Sequence, residues 1–114
     1  MNIGDPVTLP PRTPWPESQY SISSWAAETF GVSTPLRAAT RMNEEVAELL
    51  AKLSVPDTDP EKIHEECADV LIVLFVLSER LGFDLIAEVQ KKMTVNRARK
   101  WTLDGSGCGQ HVEE

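Results

Sequence analysis

The sequence predicts an all-α protein, a single domain of four helices whose fold is completed by oligomerisation. Its length of 114 residues suits one domain, and its 41% hydrophobic and 25% charged residues are ordinary for a globular protein. Apolar residues recur at the 3.6-residue period of helices, and no segment shows the strict alternation of strands. N-capping residues (Ser, Thr or Asp) precede each of the periodic apolar segments. They predict where each helix begins.

The N-terminal part of the chain divides into an arm and a first helix. Residues 1–17 contain five prolines and predict an extended arm, because proline interrupts helices. The helical domain is predicted for residues 18–101. Its first helix is expected to begin between Ser18 and Ser23 and to end at Gly31, since glycine commonly follows the last turn of a helix.

The second and third helices have the same starting signal, a capping residue followed by proline. Thr34 and Asp59 are favourable N-caps, and the proline behind each fits the first helical position. Gly82 is expected to end the third helix. The predicted apolar faces are Met42, Val46, Leu49 and Leu53 in the second helix and Ile63, Cys67, Val70, Leu71, Leu74 and Leu77 in the third.

A fourth helix is expected to begin after Asp84 and to end near Trp101, with Leu85, Val89 and Met93 on its apolar side. Residues 102–114 are rich in glycine and have no period, so they predict a flexible tail.

The third helix also predicts the oligomeric state. From Val70 to Leu77 it is apolar on every side, and a helix of this kind is buried on every side. Three short neighbours in one chain can hardly cover it. We therefore expect a homodimer or a dimer of dimers.

Charge and composition exclude several classes of protein. The formal net charge of −7 argues against general binding to nucleic acid, although residues 91–100 hold five of the eleven basic residues and suit a small anion. The longest apolar run is far shorter than the ~20 residues that cross a membrane, and the N-terminus lacks the features of a signal peptide. Cys67 and Cys108 form no disulfide framework. A cytoplasmic protein is expected.

Two pairs of acids form the first candidate site. Glu45 and Glu48 are three residues apart on the second helix, and Glu66 and Asp69 are three apart on the third, so each pair lies on one helix face. Both pairs border the apolar face of their helix. Antiparallel packing of the two helices would therefore bring four carboxylates together, where they repel one another unless a cation neutralises them. Oxygen ligands favour Mg²⁺, with Mn²⁺ as the alternative.

Two other interpretations of the acids stay open. The carboxylates could be solvated flanks of amphipathic helices, as we expect for Glu44 and Glu65 unless they support the site from outside. Alternatively, Glu61 and His64 have the Glu-x-x-His spacing of di-iron bundles. That site needs two such pairs, and the only other histidine lies in the tail, so His64 is expected at the surface.

A basic face on the fourth helix forms the second candidate site. Lys92, Asn96 and Arg99 are spaced i, i+4, i+7 and would share one helix face, where an ammonium, an amide and a guanidinium suit phosphate oxygens. The alternative is a basic last turn that complements the helix dipole, which explains Arg97 and Lys100 well. It does not explain Asn96, a poor helix former between two cations.

Three motifs together resemble a known family. The segments EEVAE at 44–48, ECAD at 66–69 and KMTVNRARKW at 92–101 resemble the motifs of the MazG-like all-α nucleoside triphosphate pyrophosphohydrolases. The similarity in order and spacing extends roughly from Trp25 to Trp101. It implies an oligomeric four-helix fold and Mg²⁺-dependent cleavage between the α- and β-phosphates of a nucleotide, giving the monophosphate and pyrophosphate.

The resemblance also implies residue roles. Glu45, Glu48, Glu66 and Asp69 would hold Mg²⁺, and Lys92, Asn96 and Arg99 would hold phosphates. Glu45 or Glu48 would activate the attacking water. Trp25 and Phe30 would stack on the base, unless they belong to the core. The expected role is the removal of unwanted nucleotides, and the competing hypothesis is a catalytically idle helical oligomer that acts as a nucleotide sensor or a partner-binding regulatory module.

Overall fold

The computed structural model describes Leu9 and residues 15–112, and most of the proline-rich arm predicted for residues 1–17 lies outside this range. Four helices and a short hairpin follow one another along the chain, which confirms the all-α fold class. They are α1 (Gln19–Phe30), α2 (Pro35–Ser54), α3 (Pro60–Leu81), α4 (Leu85–Ala98), β1 (Trp101–Leu103) and β2 (Gly109–His111).

All four helices begin at the residues that the sequence indicates. Ser18 caps α1 by accepting from the Ser21 amide at 3.0 Å. The side chains of Thr34, Asp59 and Asp84 accept a backbone N–H of their own helix at 3.1 Å. Each cap satisfies an amide that the first turn would otherwise leave without a partner. The prediction of these helix starts is thereby confirmed.

The centre of the chain is the antiparallel pair α2 and α3, with α1 packed against α3. Few apolar side chains are deeply buried: in the described part of the chain, Ala38 and Phe75 are the two hydrophobic residues below the surface. Leu53, Cys67 and Leu71, predicted to belong to apolar faces, are exposed.

Helix α4 makes only marginal contact with the other helices, and none of its residues is buried. Its start is fixed by Gln19, which reaches across from α1. The Gln19 amide donates to the Phe83 carbonyl at 2.7 Å and accepts from the Leu85 amide at 2.9 Å. The joint between α3 and α4 is therefore tied to α1, while the remainder of α4 extends away from the central pair.

The chain after α4 differs from the sequence prediction. The helix ends at Ala98, before Trp101, and the antiparallel strands β1 and β2 pair Trp101 with His111. Gly105 and Gly107 have φ values of 84° and 88°, which glycine adopts without strain, and they form the turn. The sequence predicted no strand here, and the flexibility of residues 102–114 stays a prediction. None of the described helices combines the length and apolar character that a membrane-spanning helix needs.

Candidate metal and nucleotide site

The packing of α2 against α3 brings three of the four predicted carboxylates together. Oxygens of Glu45, Glu48 and Glu66 lie within 4.8 Å of one another, and they form the one such group of His, Cys, Asp or Glu side chains found among the described residues. Glu45 and Glu48 are one turn apart on α2, and Glu66 faces them from α3. The three-residue spacing of the acids in the sequence therefore leads to a cluster of carboxylates from two helices.

Two members of this acidic cluster (Glu45, Glu48 and Glu66) are deeply buried. Glu45 is 4% exposed and Glu66 is 7% exposed, although both were expected at the border of an apolar face. The Oε2 atoms of Glu45 and of Glu66 are inaccessible to solvent and have no hydrogen-bond partner. Since buried carboxylate oxygens without partners are unfavourable, their presence fits a site for a cation that prefers oxygen ligands.

Each buried carboxylate is bound by one cationic side chain through its other oxygen. Arg41 Nη2 lies 2.5 Å from Glu45 Oε1, and Arg41 Nη1 lies 3.0 Å from Oε2 of the exposed Glu44. Lys52 Nζ contacts Glu66 Oε1 across the gap between α2 and α3. Each carboxylate thus has one oxygen paired with a cation and the other unpartnered.

The two buried carboxylates have pKa values shifted in opposite directions. Burial raises the pKa of Glu45, and this effect exceeds the attraction of Arg41, while repulsion from Glu48, Asp69 and Glu66 adds to it. The hydrogen bond from Lys52 lowers the pKa of Glu66 despite its burial. The cluster therefore contains one carboxyl that resists ionisation and one that is held ionised.

Asp69 lies near the cluster without belonging to the closest group. It is exposed and lines the same groove as Glu45, and its charge acts on the pKa of Glu45. The other residues that the sequence analysis considered near a metal site do not belong to the group of Glu45, Glu48 and Glu66. Glu44, Glu65 and His64 are exposed, as expected.

A groove of about 850 Å³ leads away from Glu45 and Asp69 between α1, α2 and α3. Trp25 and Phe30 lie in it, with ring centroids 5.4 Å apart and planes nearly perpendicular. They are 53% and 76% exposed, so the alternative that they belong to the core of this chain is wrong. The groove is also lined by Arg37, Arg41, Ile72, Val73, Val76 and Arg80.

The three predicted phosphate ligands are not all within one helix. Lys92 and Asn96 lie on α4, but Arg99 follows its end and has extended backbone angles, φ −83° and ψ 154°. The Arg99 amide donates to the Asn96 carbonyl, and the Trp101 indole donates to the same carbonyl at 2.9 Å, so the chain leaves the helix there. Arg99 is therefore the residue at which α4 ends, and the face that it was predicted to share with Lys92 and Asn96 stays a prediction.

Neither Lys92, Asn96 nor Arg99 lines the groove beside Glu45 and Asp69. Because α4 makes only marginal contact with α2 and α3, the structure does not bring the basic residues and the acidic cluster together within one chain.

Sequence reasoning missed Arg41 and Lys52, the cationic partners of the buried acids. Arg41 is four residues before Glu45, and Lys52 is four residues after Glu48, so both share the helix face that carries the acids. This spacing was a usable signal. The chain itself therefore supplies part of the positive charge that compensates the buried acids.

Comparisons with known proteins agree with this arrangement. The MazG-like family profile matches residues 36–110. A dATP/dGTP diphosphohydrolase of Salmonella phage PMBT28 is 35% identical over 82% of this chain, which spans 30% of that protein's length. A dATP/dGTP diphosphohydrolase of Cyanophage S-2L is 30% identical over 84% of this chain and 86% of its own.

A solved structure has the same fold. It is described as the Cyanophage S-2L MazG-like pyrophosphohydrolase bound to dGDP and three catalytic Mn²⁺ ions per active site. It is 32% identical to this chain, covers 83% of it and 93% of the solved chain, and aligns with a TM-score of 0.67. With a matching family profile and relatives named as hydrolases of nucleotide anhydrides, the chain belongs to the MazG-like family.

Proposed function

We propose that this chain is a metal-dependent nucleotide pyrophosphohydrolase. It cleaves the α–β phosphate bond of a deoxynucleoside triphosphate and releases the monophosphate and pyrophosphate. The observation that carries the proposal is the acidic cluster, in which carboxylates from two helices meet within 4.8 Å and two of them present buried, unpartnered oxygens. The relatives named as dATP/dGTP diphosphohydrolases make purine deoxynucleotides the first substrates to test.

Glu45, Glu48, Glu66 and Asp69 would hold Mg²⁺ or Mn²⁺, because all four offer only oxygen ligands. These residues would hold a cation that would supply charge screening for the phosphate oxygens and would lower the pKa of a bound water. Mn²⁺ in the related phage protein supports a divalent cation. Glu45 and Asp69 would also orient the cation relative to the groove, since both line it.

Glu48 is the carboxylate that best suits the general base. It is the exposed member of the acidic cluster, so a water molecule and the substrate can reach it. Glu45 is less suitable, because it is buried and its pKa is raised by that burial. Glu48 would accept a proton from the water that attacks the phosphorus atom, which supports catalysis when donor and acceptor are within hydrogen-bond distance.

The base of the nucleotide would bind in the groove between α1, α2 and α3. Trp25 and Phe30 present exposed aromatic rings in the groove, on which a purine can stack. The arginines Arg37 and Arg80 in the same groove can donate to sugar or phosphate oxygens. A nucleotide would then lie along the groove with its phosphates toward Glu45 and Asp69.

A second copy of the chain would complete the site. Ile86, Val89 and Met93 are exposed on one face of α4, although apolar side chains at helical spacing usually pack against another element. Because α4 leaves the central helix pair of its own chain, docking against a second copy would bury these side chains. It would also bring Lys92, Asn96 and Arg99 to the phosphates of a nucleotide held by the other subunit.

The test is product analysis with purified protein. dATP, dGTP, dCTP, dTTP and dGDP are incubated with Mn²⁺, with Mg²⁺ or with excess EDTA, and phosphate is measured before and after adding inorganic pyrophosphatase. We expect phosphate from a triphosphate only after pyrophosphatase is added, and none in EDTA. Undiminished turnover in EDTA, or direct release of phosphate from dGTP, would contradict the proposal. Nucleotide binding without turnover would support the nucleotide-sensor alternative.

A further inference from the structure

The ion pair between Lys52 and Glu66 joins two different helices, α2 and α3. Arg41 pairs with Glu44 and Glu45 of its own helix, and Lys91 pairs with Glu88 of its own helix. Within the part of the chain that the structure describes, Lys52–Glu66 is the one ion pair that joins two helices. It therefore connects the helix that carries Glu45 and Glu48 to the helix that carries Glu66.

The backbone of Lys52 is also fixed. The Thr58 hydroxyl, in the turn between α2 and α3, donates to the Lys52 carbonyl at 2.9 Å. The last turn of α2 is thereby joined to the loop that leads into α3. Lys52 is half-buried, so its ammonium is partly shielded from solvent and its position is better defined than that of a fully exposed lysine.

Lys52 leaves Glu66 able to bind a cation. Its ammonium contacts Oε1, whereas Oε2 is buried and unpartnered, and the residue as a whole belongs to the acidic cluster. A metal ion can therefore use Oε2 while Lys52 keeps Oε1. Groups that hold the other atom of a metal ligand fix its orientation, and their loss typically weakens metal binding about 10- to 100-fold.

We propose that Lys52 is a positioning residue of the metal site, and this inference rests on the proposed function. Lys52 holds the Glu66 carboxylate in the orientation that presents Oε2 to the cluster, and it holds the α3 ligand at a fixed distance from the α2 ligands.

The competing interpretation is that Lys52 takes the place of the metal. In that case its ammonium would have to leave before a cation binds, and removing it would make metal binding tighter. The two interpretations predict opposite changes in affinity, so a single measurement separates them. The unpartnered Oε2 of Glu66 favours the positioning role, because the cation does not need the atom that Lys52 contacts.

The experiment measures Mn²⁺ binding to the full chain by isothermal titration calorimetry without nucleotide. The variants are Lys52→Met, which removes the ammonium, and Lys52→Arg, which keeps a cation. Lys91→Met is the control, since it removes a lysine that is paired with a glutamate at the surface. We expect the Kd for Mn²⁺ to rise about 10- to 100-fold in Lys52→Met, less in Lys52→Arg and not in Lys91→Met.

A tighter or unchanged Kd in Lys52→Met would overturn the proposal. Circular dichroism in EDTA checks folding, and Lys52→Gln replaces Lys52→Met if the latter fails to fold, because it keeps a hydrogen-bond donor without the charge. A lysine with only a structural role would lower the stability in EDTA and leave the Kd unchanged. Failure of the proposed function would be distinct, since the unmodified protein would then hydrolyse no nucleotide, whatever its Kd for Mn²⁺.

Discussion

The substitution Glu45→Gln tests whether the acidic cluster lowers the stability of the metal-free protein while it is required for metal-dependent turnover. Without metal, Glu45 is a carboxylate with 4% of its surface exposed, and its Oε2 has no hydrogen-bond partner. Glutamine has nearly the same shape and no charge. We therefore expect Glu45→Gln to unfold at higher urea concentration than the unmodified protein in EDTA, and to lose at least a hundredfold in metal-dependent turnover.

The magnitude follows from the contacts of Glu45. A buried polar group without a partner costs about 1–3 kcal/mol and a charged one more, so removing the charge while keeping a polar amide should recover about 2–3 kcal/mol at most. The lost pair with Arg41 is worth at most about 1 kcal/mol, because Arg41 is largely exposed and keeps Glu44. The net gain should be about 1–2 kcal/mol, which for a domain near this size raises Tm by roughly 4 °C per kcal/mol.

The pH dependence of this gain has a definite sign. Burial raises the pKa of Glu45, so the folded protein holds that proton to higher pH than the unfolded chain does. Its contribution to stability is present below the unfolded-state pKa and is lost as pH rises through the raised pKa. Glutamine does not titrate at this position. The advantage of Glu45→Gln should therefore be larger at pH 8 than at pH 5, and the lowered pKa of Glu66 affects both proteins alike.

The neighbouring Glu44→Gln is the matched control, because Glu44 contacts the same arginine from the same helix but is exposed. It should change the free energy of unfolding by no more than about 0.5 kcal/mol and leave turnover intact. Unfolding is followed by circular dichroism at one fixed protein concentration, since dissociation of an oligomer would contribute to the midpoint. A Glu45→Gln protein that is less stable than the unmodified one in EDTA at pH 8 would refute the reasoning.

Three further predictions concern the remaining parts of the molecule. Arg99→Lys should lower kcat/KM about tenfold or more because the planar fork is lost, whereas Arg97→Lys should have little effect; equal losses in steady-state kinetics would indicate a diffuse basic patch. Val89→Asp should halve the mass measured by light scattering if α4 docks on a second copy, and Lys91→Asp should not; an unchanged mass for Val89→Asp would count against that interface. Gln19→Ala should lower the free energy of unfolding in urea by about 2–3 kcal/mol, because the Phe83 carbonyl and the Leu85 amide lose their partner, and a loss below about 0.5 kcal/mol would contradict the role of this side chain.

The helix starts could be predicted from sequence because capping is local. A threonine or an aspartate satisfies an amide two or three residues away, so the signal and its effect lie within one turn. The face that carries Glu45 and Glu48 was also local, since three residues on a helix fix the angle between two side chains. These short-range rules place the acids of α2 on one face and those of α3 on one face.

The end of α4 and the hairpin could not be predicted in the same way. Arg99 and Lys100 are favourable helix residues, and nothing in their own chemistry ends the helix at Ala98. The end depends on Trp101, whose indole bonds to the Asn96 carbonyl, and on the pairing of Trp101–Leu103 with Gly109–His111. A two-stranded pairing of this kind joins residues up to ten positions apart and has no periodic signal in either strand.

The burial of Glu45 and Glu66 was not predictable from helix geometry either. Angles around a helix place both acids at the border of an apolar face, but burial depends on how closely α2 and α3 approach. In the structure these two glutamates are more buried than the apolar residues Val46 and Leu49 beside them. The Lys52–Glu66 pair depends on the same approach, because its two members lie on different helices.

Stability and metal binding in this chain are therefore linked through the same atoms. A cation that binds only the folded protein stabilises it by an amount set by its concentration and Kd. Part of that stabilisation should come from relief of the unpartnered oxygens of Glu45 and Glu66. Glu45→Gln removes the buried charge at one of them without metal, so Mn²⁺ and Glu45→Gln should not stabilise the protein additively. Two changes that act on one contact are coupled, whereas changes at separate places add. If saturating Mn²⁺ raised the Tm of Glu45→Gln as much as that of the unmodified protein, the cation would bind elsewhere, and the acidic cluster would not be its site.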